Sequence, residues 1–417
     1  MLAAAAAATT DMGWNFVAEL QKLKEAFNSG GVEASRAWLE RKRDEWKQIP
    51  LKVAVIGRPG VGKSSFINAI RRMYADDEGG APVGNKETTV DVDRSYPHPN
   101  NPLLKFWDLP GVGTNRFRRE TYLSDIKVDR FDFFLLITAD RFTQDDTWLG
   151  GEFDKRNKKY FFVRTKVGAD IANNKKAHRK TQEKDDVVRD IRESTQKQLK
   201  ENGCEHVPVF LIDSYELNKF DFDLLERRLI EDFPEMKKAA LVLTLQATSK
   251  EMINHKVAEL RSRMWKLAAL SGAVGAIPVP GVSMVMDISI VAAESGFYFT
   301  QLGLDETSLK RYAEFTNTDY QSLSSIVVRI FGDLGIRAFV ETFIKTGTLV
   351  AAAAAEEGLK LLPVIGSLIG ALIGAPLSFA GTYCTLKLVL DKMERVALEV
   401  AECVAESAAN ADDDDEP

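Results

Sequence analysis

Cysteine and histidine are scarce in this chain, and their scarcity argues against several kinds of site. Among 417 residues there are three cysteines and four histidines. The cysteines (Cys204, Cys384 and Cys403) form no CxxC pair, so we expect reduced thiols in a cytosolic protein rather than a disulfide framework. The histidines are spread along the chain, which argues against a histidine-based metal centre or catalytic triad.

The chain also lacks an excess of positive charge and a targeting segment at its N-terminus. Its formal net charge is −6, which argues against nucleic acid as a partner, because a polyanionic backbone favours a basic surface. The first residues have no basic start and Asp11 interrupts them, so we predict no signal peptide. Leu2 excludes N-myristoylation on this sequence.

Long uncharged runs occur in the C-terminal part, at 267–286 and 361–386. Both reach the length of a membrane span, but both contain proline and several glycines. Pro278 and Pro280 predict a break in the first run, which would turn it into a hairpin. Three alternatives stay open for the pair: buried core helices, a reversible membrane-contact surface, and transmembrane segments.

The hydrophobic periodicity changes twice along the chain and predicts two kinds of domain. Residues 13–48 have apolar side chains at helical spacing, with a break at Asn-Ser-Gly-Gly, so we predict two short helices. Apolar runs of strand length then alternate with helical segments, as in a mostly parallel sheet covered by helices. The rest of the chain is helical. The predicted strands are 51–57, 103–109, 132–138, 159–165 and 207–213, with helices at 63–74, 117–127, 145–157 and 180–201.

A phosphate-binding loop follows the first predicted strand. The sequence GRPGVGKSS fits the pattern G-x-x-x-x-G-K-[ST] and opens a predicted helix. Its glycines let backbone N–H groups turn toward phosphate, Lys63 neutralises the β- and γ-phosphates, and the Ser64 hydroxyl ligates Mg²⁺. The predicted nucleotide-binding residues in this loop are Gly57, Arg58, Pro59, Gly60, Val61, Gly62, Lys63, Ser64 and Ser65.

A second motif, FWDLPG, ends the next predicted strand. Asp108 is placed to hold Mg²⁺ through water, and the Gly111 N–H is placed to contact the γ-phosphate. The sequence before it leaves room for an edge strand and for a loop with two threonines. Either Thr88 or Thr89 is the candidate switch residue that ligates Mg²⁺, and an ordinary polar loop is the alternative. Thr89 joins Ser64 and Asp108 in the predicted metal set.

The residue after Gly111 is Val112, where Ras-type enzymes place a glutamine that positions water. A valine cannot orient water by hydrogen bonding. Either hydrolysis is slow, or another group orients the water. That group could come from a second subunit across a dimer, or it could be Glu87. The alternative interpretation of Glu87 is an ordinary solvated acid in a loop. The predicted catalytic residues are Lys63, Ser64, Glu87, Thr89 and Gly111.

The sequence RTKVGAD resembles the guanine-binding loop of GTPases, in which Thr-Lys-x-Asp follows a strand. Thr165 and Lys166 match, but Gly168 replaces the aspartate that accepts hydrogen bonds from guanine N1–H and N2–H. Asp170 is a candidate substitute for this acceptor, because a small loop shift, made easier by Gly168, could bring it to the base. The alternative is that Asp170 is an ordinary acid in a loop. Downstream, Asp213 and Ser214 are predicted to border the base.

Together these blocks resemble the immunity-related GTPases, an interferon-inducible family. The likeness runs through GRPGVGKSSFINAIR, FWDLPGVGT, YFFVRTKV and IPVPGVS, over nearly the whole chain. It is to the subclass with lysine in the phosphate loop. The resemblance implies an α/β P-loop GTPase domain, Ras-like with a mostly parallel sheet, plus an all-α helical domain formed from both termini. The predicted division is a helical segment at 1–49, a GTPase domain at 50–235, a helical domain at 236–409 and an acidic tail at 410–417.

The resemblance also implies a dynamin-like activity with GTP, GDP and Mg²⁺ as ligands. Family members self-associate through nucleotide-facing surfaces, which accelerates hydrolysis, and they associate with related GTPases. It further implies a cytoplasmic protein held peripherally at intracellular membranes, of the endoplasmic reticulum, the Golgi or a vacuole. Helices that match 359–375 are the implied membrane contact. Gly168 departs from the aspartate of the family pattern, so a weakly active regulator and an NTPase of relaxed base choice stay open as alternatives.

Overall fold

The computed structural model describes residues 16–84, 92–113, 117–178, 184–274, 282–331 and 379–414. The chain divides into two compact units. The sheet unit contains Lys47–Leu245, and the helical unit combines Met1–Trp46 with Gln246–Ala313 and Thr318–Ser407. The predicted combination of an α/β domain with a helical C-terminal part is confirmed.

One sheet forms the centre of the sheet unit. Within the described residues, its six strands are arranged in the order β2-β3-β1-β4-β5-β6. Every pairing is parallel except that of β2, which lies antiparallel to β3. The spacing before FWDLPG predicts an edge strand here, and the structure adds its direction. The strands are β1 (Leu51–Gly57), β2 (Ser95–His98), β3 (Asn101–Pro110), β4 (Phe133–Thr138), β5 (Tyr160–Arg164) and β6 (Val209–Leu211).

Helices alternate with these strands, and the described residues after β6 are mostly helical. The predicted helix at 63–74 stops at Ile70, because Arg72 takes a left-handed backbone conformation with φ 52°. The helices are α1 (Phe16–Arg43), α2 (Lys63–Ile70), α3 (Arg119–Asp125), α4 (Gln144–Lys155), α5 (Val167–Ala177), α6 (Lys184–Glu201), α7 (Phe222–Asp232), α8 (Glu235–Thr244), α9 (Lys250–Val274), α10 (Val282–Gln301), α11 (Glu306–Thr316), α12 (Tyr320–Phe331) and α13 (Phe379–Asp414).

Aromatic side chains fill one face of the sheet. Phe134 on β4 stacks on Phe153 of α4 with ring centroids 4.2 Å apart, and Phe162 on β5 meets Phe142 at 4.7 Å. All four rings are buried. Burial of each such side chain contributes about 1.5–3 kcal/mol, so this face holds the strand ends in a fixed register under the loops that carry the site.

The helical unit contains the predicted break near the N-terminus. Helix α1 is kinked at Gly30 and Gly31, and Gly31 has φ 63°, which is a conformation that favours glycine. Helix α1 contacts α9 and α10, so the N-terminal segment is part of the same core as the C-terminal helices. Arg261 of α9 pairs with Asp391 and Glu394 of α13 at 3.2 and 2.7 Å.

The uncharged runs lie partly outside the described residues, including Pro278, Pro280 and 361–378. Where the structure describes the chain, no helix combines the length and the apolar character that a membrane span requires. The alternatives of buried core and membrane contact therefore stay predictions for these runs.

Candidate nucleotide-binding site

The loop between β1 and α2 has the backbone of an anion cradle. Gly60 and Gly62 have φ 79° and 95°, which are left-handed conformations that side chains disfavour. Gly62 caps α2 without a side chain. An anion can therefore approach the positive end of the helix directly, which is the chemistry expected of a phosphate loop.

Lys63 directs its ammonium group back into this loop. Its Nζ donates hydrogen bonds to the carbonyl oxygens of Gly57 at 2.8 Å and Arg58 at 3.2 Å. The side chain is 5% exposed, and Nζ lies 3.8 Å from Asp108 Oδ1. A buried cation thus stands at the centre of the loop, where it can neutralise phosphate charge.

Ser64 and Asp108 form the pair on which a divalent cation would depend. The Ser64 hydroxyl donates to Asp108 Oδ2 at 2.9 Å, and the parallel register sets Asp108 on β3 beside Val55 of β1. Burial raises the pKa of the Asp108 carboxyl, against the opposing effect of the nearby Lys63 ammonium. Among the described residues, Asp108 Oδ1 is buried and accepts no hydrogen bond. A hydroxyl beside a carboxylate with spare acceptor capacity fits Mg²⁺, which prefers oxygen ligands.

Gly57 and Gly111 let the backbone segments of the site approach one another. A Cβ at Gly57 would lie 2.3 Å from the carbonyl oxygen of Ile137, at the end of β4. A Cβ at Gly111 would lie 3.1 Å from the Arg58 nitrogen. The motif that starts at Asp108 therefore packs directly on the phosphate loop.

Replacing Gly57 with alanine is expected to lower the free energy of unfolding by about 1–3 kcal/mol and to weaken nucleotide binding, because the new methyl group overlaps a backbone carbonyl. Urea unfolding and nucleotide titration measure the two effects. Gly151→Ala in α4 is the matched control, since a Cβ there meets nothing within 4 Å. A Gly57→Ala protein as stable as Gly151→Ala would contradict the steric argument.

The predicted base loop is tied to the phosphate loop by two side chains. The Thr165 hydroxyl donates to the carbonyl oxygens of Val61 at 2.5 Å and Thr138 at 3.2 Å. Lys166 has φ 61°, and its Nζ donates to the Gly60 carbonyl at 2.8 Å. The structure thus brings Thr165 and Lys166 next to the loop of Lys63, as the sequence predicts for a nucleotide site.

Asp170 has a different environment from the one its predicted role requires. It lies in the first turn of α5 rather than in a loop. Its carboxylate accepts a hydrogen bond from the largely buried Arg164 guanidinium. Burial raises the pKa of Asp170, and Arg164 opposes that effect. As an acceptor for guanine Asp170 remains a prediction, and the geometry disfavours it.

Asp213 and Ser214 follow β6 and border the same loop. An Asp213 oxygen accepts from the Gly168 N–H at 3.2 Å. Within the part of the chain that the structure describes, the Ser214 hydroxyl is buried without a hydrogen-bond partner. Sequence reasoning missed Tyr215, which is 74% exposed and places its hydroxyl 3.2 Å from that of Ser65. No local pattern marks a tyrosine at this position.

The switch residues cannot be placed in the site. Glu87, Thr88 and Thr89 fall within 85–91, outside the described residues, so their roles stay predictions. Val112, which follows Gly111, is 6% exposed. An apolar side chain therefore occupies the position at which a water-orienting amide would stand.

A family model described as Interferon-inducible GTPase (IIGP) matches residues 17–329. The Mus musculus protein named T-cell-specific guanine nucleotide triphosphate-binding protein 2 is 35% identical over 280 residues, which cover 67% of each chain. Interferon-inducible GTPase 5 of Rattus norvegicus is 32% identical over 388 residues, which cover 92% of this chain and 81% of that protein.

Solved structures align with the chain at lower similarity. A structure described as an oligomerised bacterial dynamin pair aligns over 95% of this chain and 74% of its own, at 13% identity and a TM-score of 0.32. A probable GTP-binding protein, engB, aligns over 43% of this chain and 97% of its own, at 16% identity and a TM-score of 0.24. These scores are too low to indicate a shared architecture over the whole chain.

Proposed function

Because the chain belongs to the interferon-inducible GTPase family, we propose that it binds GTP at the loop of Gly57–Ser65 and hydrolyses it to GDP and phosphate. The match to the family model confirms the resemblance that the sequence motifs indicate. The observation that carries the proposed activity is the buried Lys63 ammonium, held by two loop carbonyls beneath the N-terminus of α2.

The residues of the site divide the work of binding triphosphate. Lys63 exchanges its carbonyl partners for phosphate oxygens, and the N–H groups of α2 stabilise the same charge. Ser64 and Asp108 would hold Mg²⁺, directly and through water respectively, with Thr89 or Thr88 as a further ligand. A Mg²⁺ ion held by these residues would supply positive charge against the phosphates as the γ-phosphate is transferred. Gly111 would contact the γ-phosphate through its N–H.

The attacking water needs an orienting group that Val112 cannot provide. Its apolar side chain is buried and offers no donor or acceptor. Glu87 is the candidate within the chain, and a second copy that faces the nucleotide is the candidate outside it. We therefore propose that self-association through the nucleotide-facing surface accelerates hydrolysis, which would make turnover dependent on protein concentration.

Self-association can be measured directly. If a second copy completes the site, GTP turnover per subunit is expected to rise several-fold as protein concentration increases across the dissociation constant, because only the assembled form orients water. Initial rates over a hundred-fold concentration range, with light scattering in parallel, test this. Asp108→Asn, which removes the carboxylate charge proposed for Mg²⁺, is the inactive control. Turnover that stays slow and flat at every concentration would indicate a nucleotide-binding regulator instead.

The cellular role is proposed from the relatives and from composition. The names of two relatives contain interferon-inducible GTPase, which supports a part in interferon-induced, cell-autonomous immunity, alongside related GTPases as partners. The uncharged runs 267–286 and 361–386 support peripheral contact with intracellular membranes such as the endoplasmic reticulum, the Golgi or a vacuole. Flotation of the purified chain with liposomes, with and without GTP, tests the membrane contact.

A further inference from the structure

Gly168 stands where guanine-binding loops carry aspartate, yet the space beside it already holds a carboxylate. A Cβ built at Gly168 would lie 3.0 Å from Asp213 Oδ2, which comes from the segment after β6. A second carboxylate oxygen, Oε2 of Glu216, would lie 3.2 Å from the same point. An aspartate at 168 would therefore be crowded by two like charges, whereas glycine leaves that volume to Asp213.

The Asp213 carboxylate is held in a fixed orientation. Oδ2 accepts from the Gly168 N–H at 3.2 Å, and Oδ1 accepts from the Tyr215 N–H at 3.0 Å. The residue is 9% exposed. An ionised carboxylate offers about four acceptor positions, so each oxygen retains capacity for a further hydrogen bond. Two adjacent oxygens with spare lone pairs match the two neighbouring donors of guanine, N1–H and the 2-amino group.

Neither of the other nearby acids is arranged in this way. The Asp170 carboxylate, in the first turn of α5, accepts a hydrogen bond from the Arg164 guanidinium. The Glu216 side chain is 40% exposed and pairs with Lys219 at 3.4 Å. Its carboxylate is therefore more open to solvent than that of Asp213, which two backbone N–H groups hold in place. Lys166 directly precedes α5, and Gly168 lies in the first turn of that helix. In guanine-binding loops the stem of this lysine packs over the base.

We propose that Asp213 is the residue that selects guanine in this chain, with its carboxylate at the place left by Gly168. The inference rests on the proposed nucleotide site and adds its base specificity. The acceptor has moved from the loop after β5 to the loop after β6, and glycine at 168 is the condition that makes room for it. Because adenine has no donors at N1 and C2, ATP would leave the remaining acceptor positions of this buried carboxylate unfilled and bind poorly.

Exchange of Asp213 for asparagine tests the proposal with a gain of binding. Xanthine has a carbonyl at C2 in place of the amino group, so an asparagine amide can donate to that oxygen and accept from N1–H. We expect Asp213→Asn to weaken GTP binding by about 100-fold and to strengthen XTP binding by a similar factor. Titration of GTP, XTP and ATP with Mg²⁺ measures both, and a gain for XTP cannot come from misfolding.

Two further variants complete the design. Asp170→Asn tests the competing acceptor, and if Asp213 selects guanine this variant leaves the GTP-to-XTP ratio unchanged. Gly168→Asp alone is expected to weaken GTP binding, because its carboxylate meets that of Asp213, while Gly168→Asp with Asp213→Ser is expected to recover it.

The outcomes separate the inference from the function on which it rests. A reversed preference in Asp213→Asn alone supports the proposal. Unchanged GTP preference in Asp213→Asn, a reversal in Asp170→Asn instead, or equal ATP and GTP binding by the wild-type chain would overturn it while the phosphate site stands. A wild-type chain that binds none of the three nucleotides would contradict the proposed function itself.

Discussion

Lys63→Ala is expected to bind GTP and GDP at least about 100-fold more weakly than the wild-type chain, because charge-assisted hydrogen bonds to two phosphates each contribute about 1.5–3 kcal/mol. The buried ammonium group is held by the Gly57 and Arg58 carbonyls, so it is already positioned where phosphate would bind. No other lysine in the described residues donates to these two carbonyls. Isothermal titration with GTP and GDP in the presence of Mg²⁺ measures the loss.

Controls separate this loss from damage to the fold. Lys176→Ala removes an exposed lysine from the last turn of α5 and is expected to leave binding unchanged. Circular dichroism of Lys63→Ala should show wild-type helix content. A correctly folded Lys63→Ala protein that retains wild-type affinity for GTP would show that the nucleotide binds elsewhere.

Glu226→Ala is expected to lower the free energy of unfolding of the sheet unit by about 3–5 kcal/mol, because it leaves a buried guanidinium without its carboxylate. Arg72, two residues after the end of α2, donates from Nη2 to Glu226 Oε2 of α7 at 3.1 Å. The two side chains are 3% and 2% exposed. The guanidinium also lies 5.1 Å from the Phe222 ring centroid. Urea unfolding followed by tryptophan fluorescence measures the change, since Trp107 is buried in this unit.

An exposed ion pair on the same helix provides the matched control. Arg228 and Glu231 are 3.1 Å apart at about 40% exposure each, so Glu231→Ala is expected to change stability by at most about 1 kcal/mol. Arg72→Met combined with Glu226→Leu is expected to regain most of the loss, because apolar side chains replace both charges. Equal destabilisation by Glu226→Ala and Glu231→Ala would show that the buried ion pair contributes no more to the free energy of unfolding than the exposed one.

The features that could be predicted from the sequence are those fixed by short-range patterns. The phosphate loop can be predicted because its glycines, its lysine and the start of the following helix lie within nine consecutive residues. The buried strands can be predicted because few structures other than a buried strand fit a short apolar run between two helical segments. The existence of an edge strand follows from the number of residues before Asp108, although its antiparallel direction does not.

The features that could not be predicted depend on residues far apart in the chain. Helix α5 begins at Val167 inside a motif that predicts a loop, and only its packing on α6 indicates the helix. Gly168 alone suggests a lost acceptor, whereas the Asp213 carboxylate that fills the space is 45 residues away. Arg72, whose left-handed conformation follows the end of α2, likewise pairs with a glutamate 154 residues later.

The helical unit is assembled from two distant parts of the chain, and this has a consequence for folding during synthesis. Helix α1 ends at Arg43, and the helices α9 and α10 that it contacts begin at Lys250 and Val282. Roughly 200 residues are therefore translated in between, which takes about 10–40 s at typical elongation rates. Throughout that interval Leu23 and Trp38, which are buried in the finished unit, have no C-terminal core to enter. The main segment of the sheet unit ends at Leu245, so the sheet can fold during this interval. We therefore expect the middle of the chain to fold first, while the apolar face of α1 stays uncovered until the C-terminal helices are made.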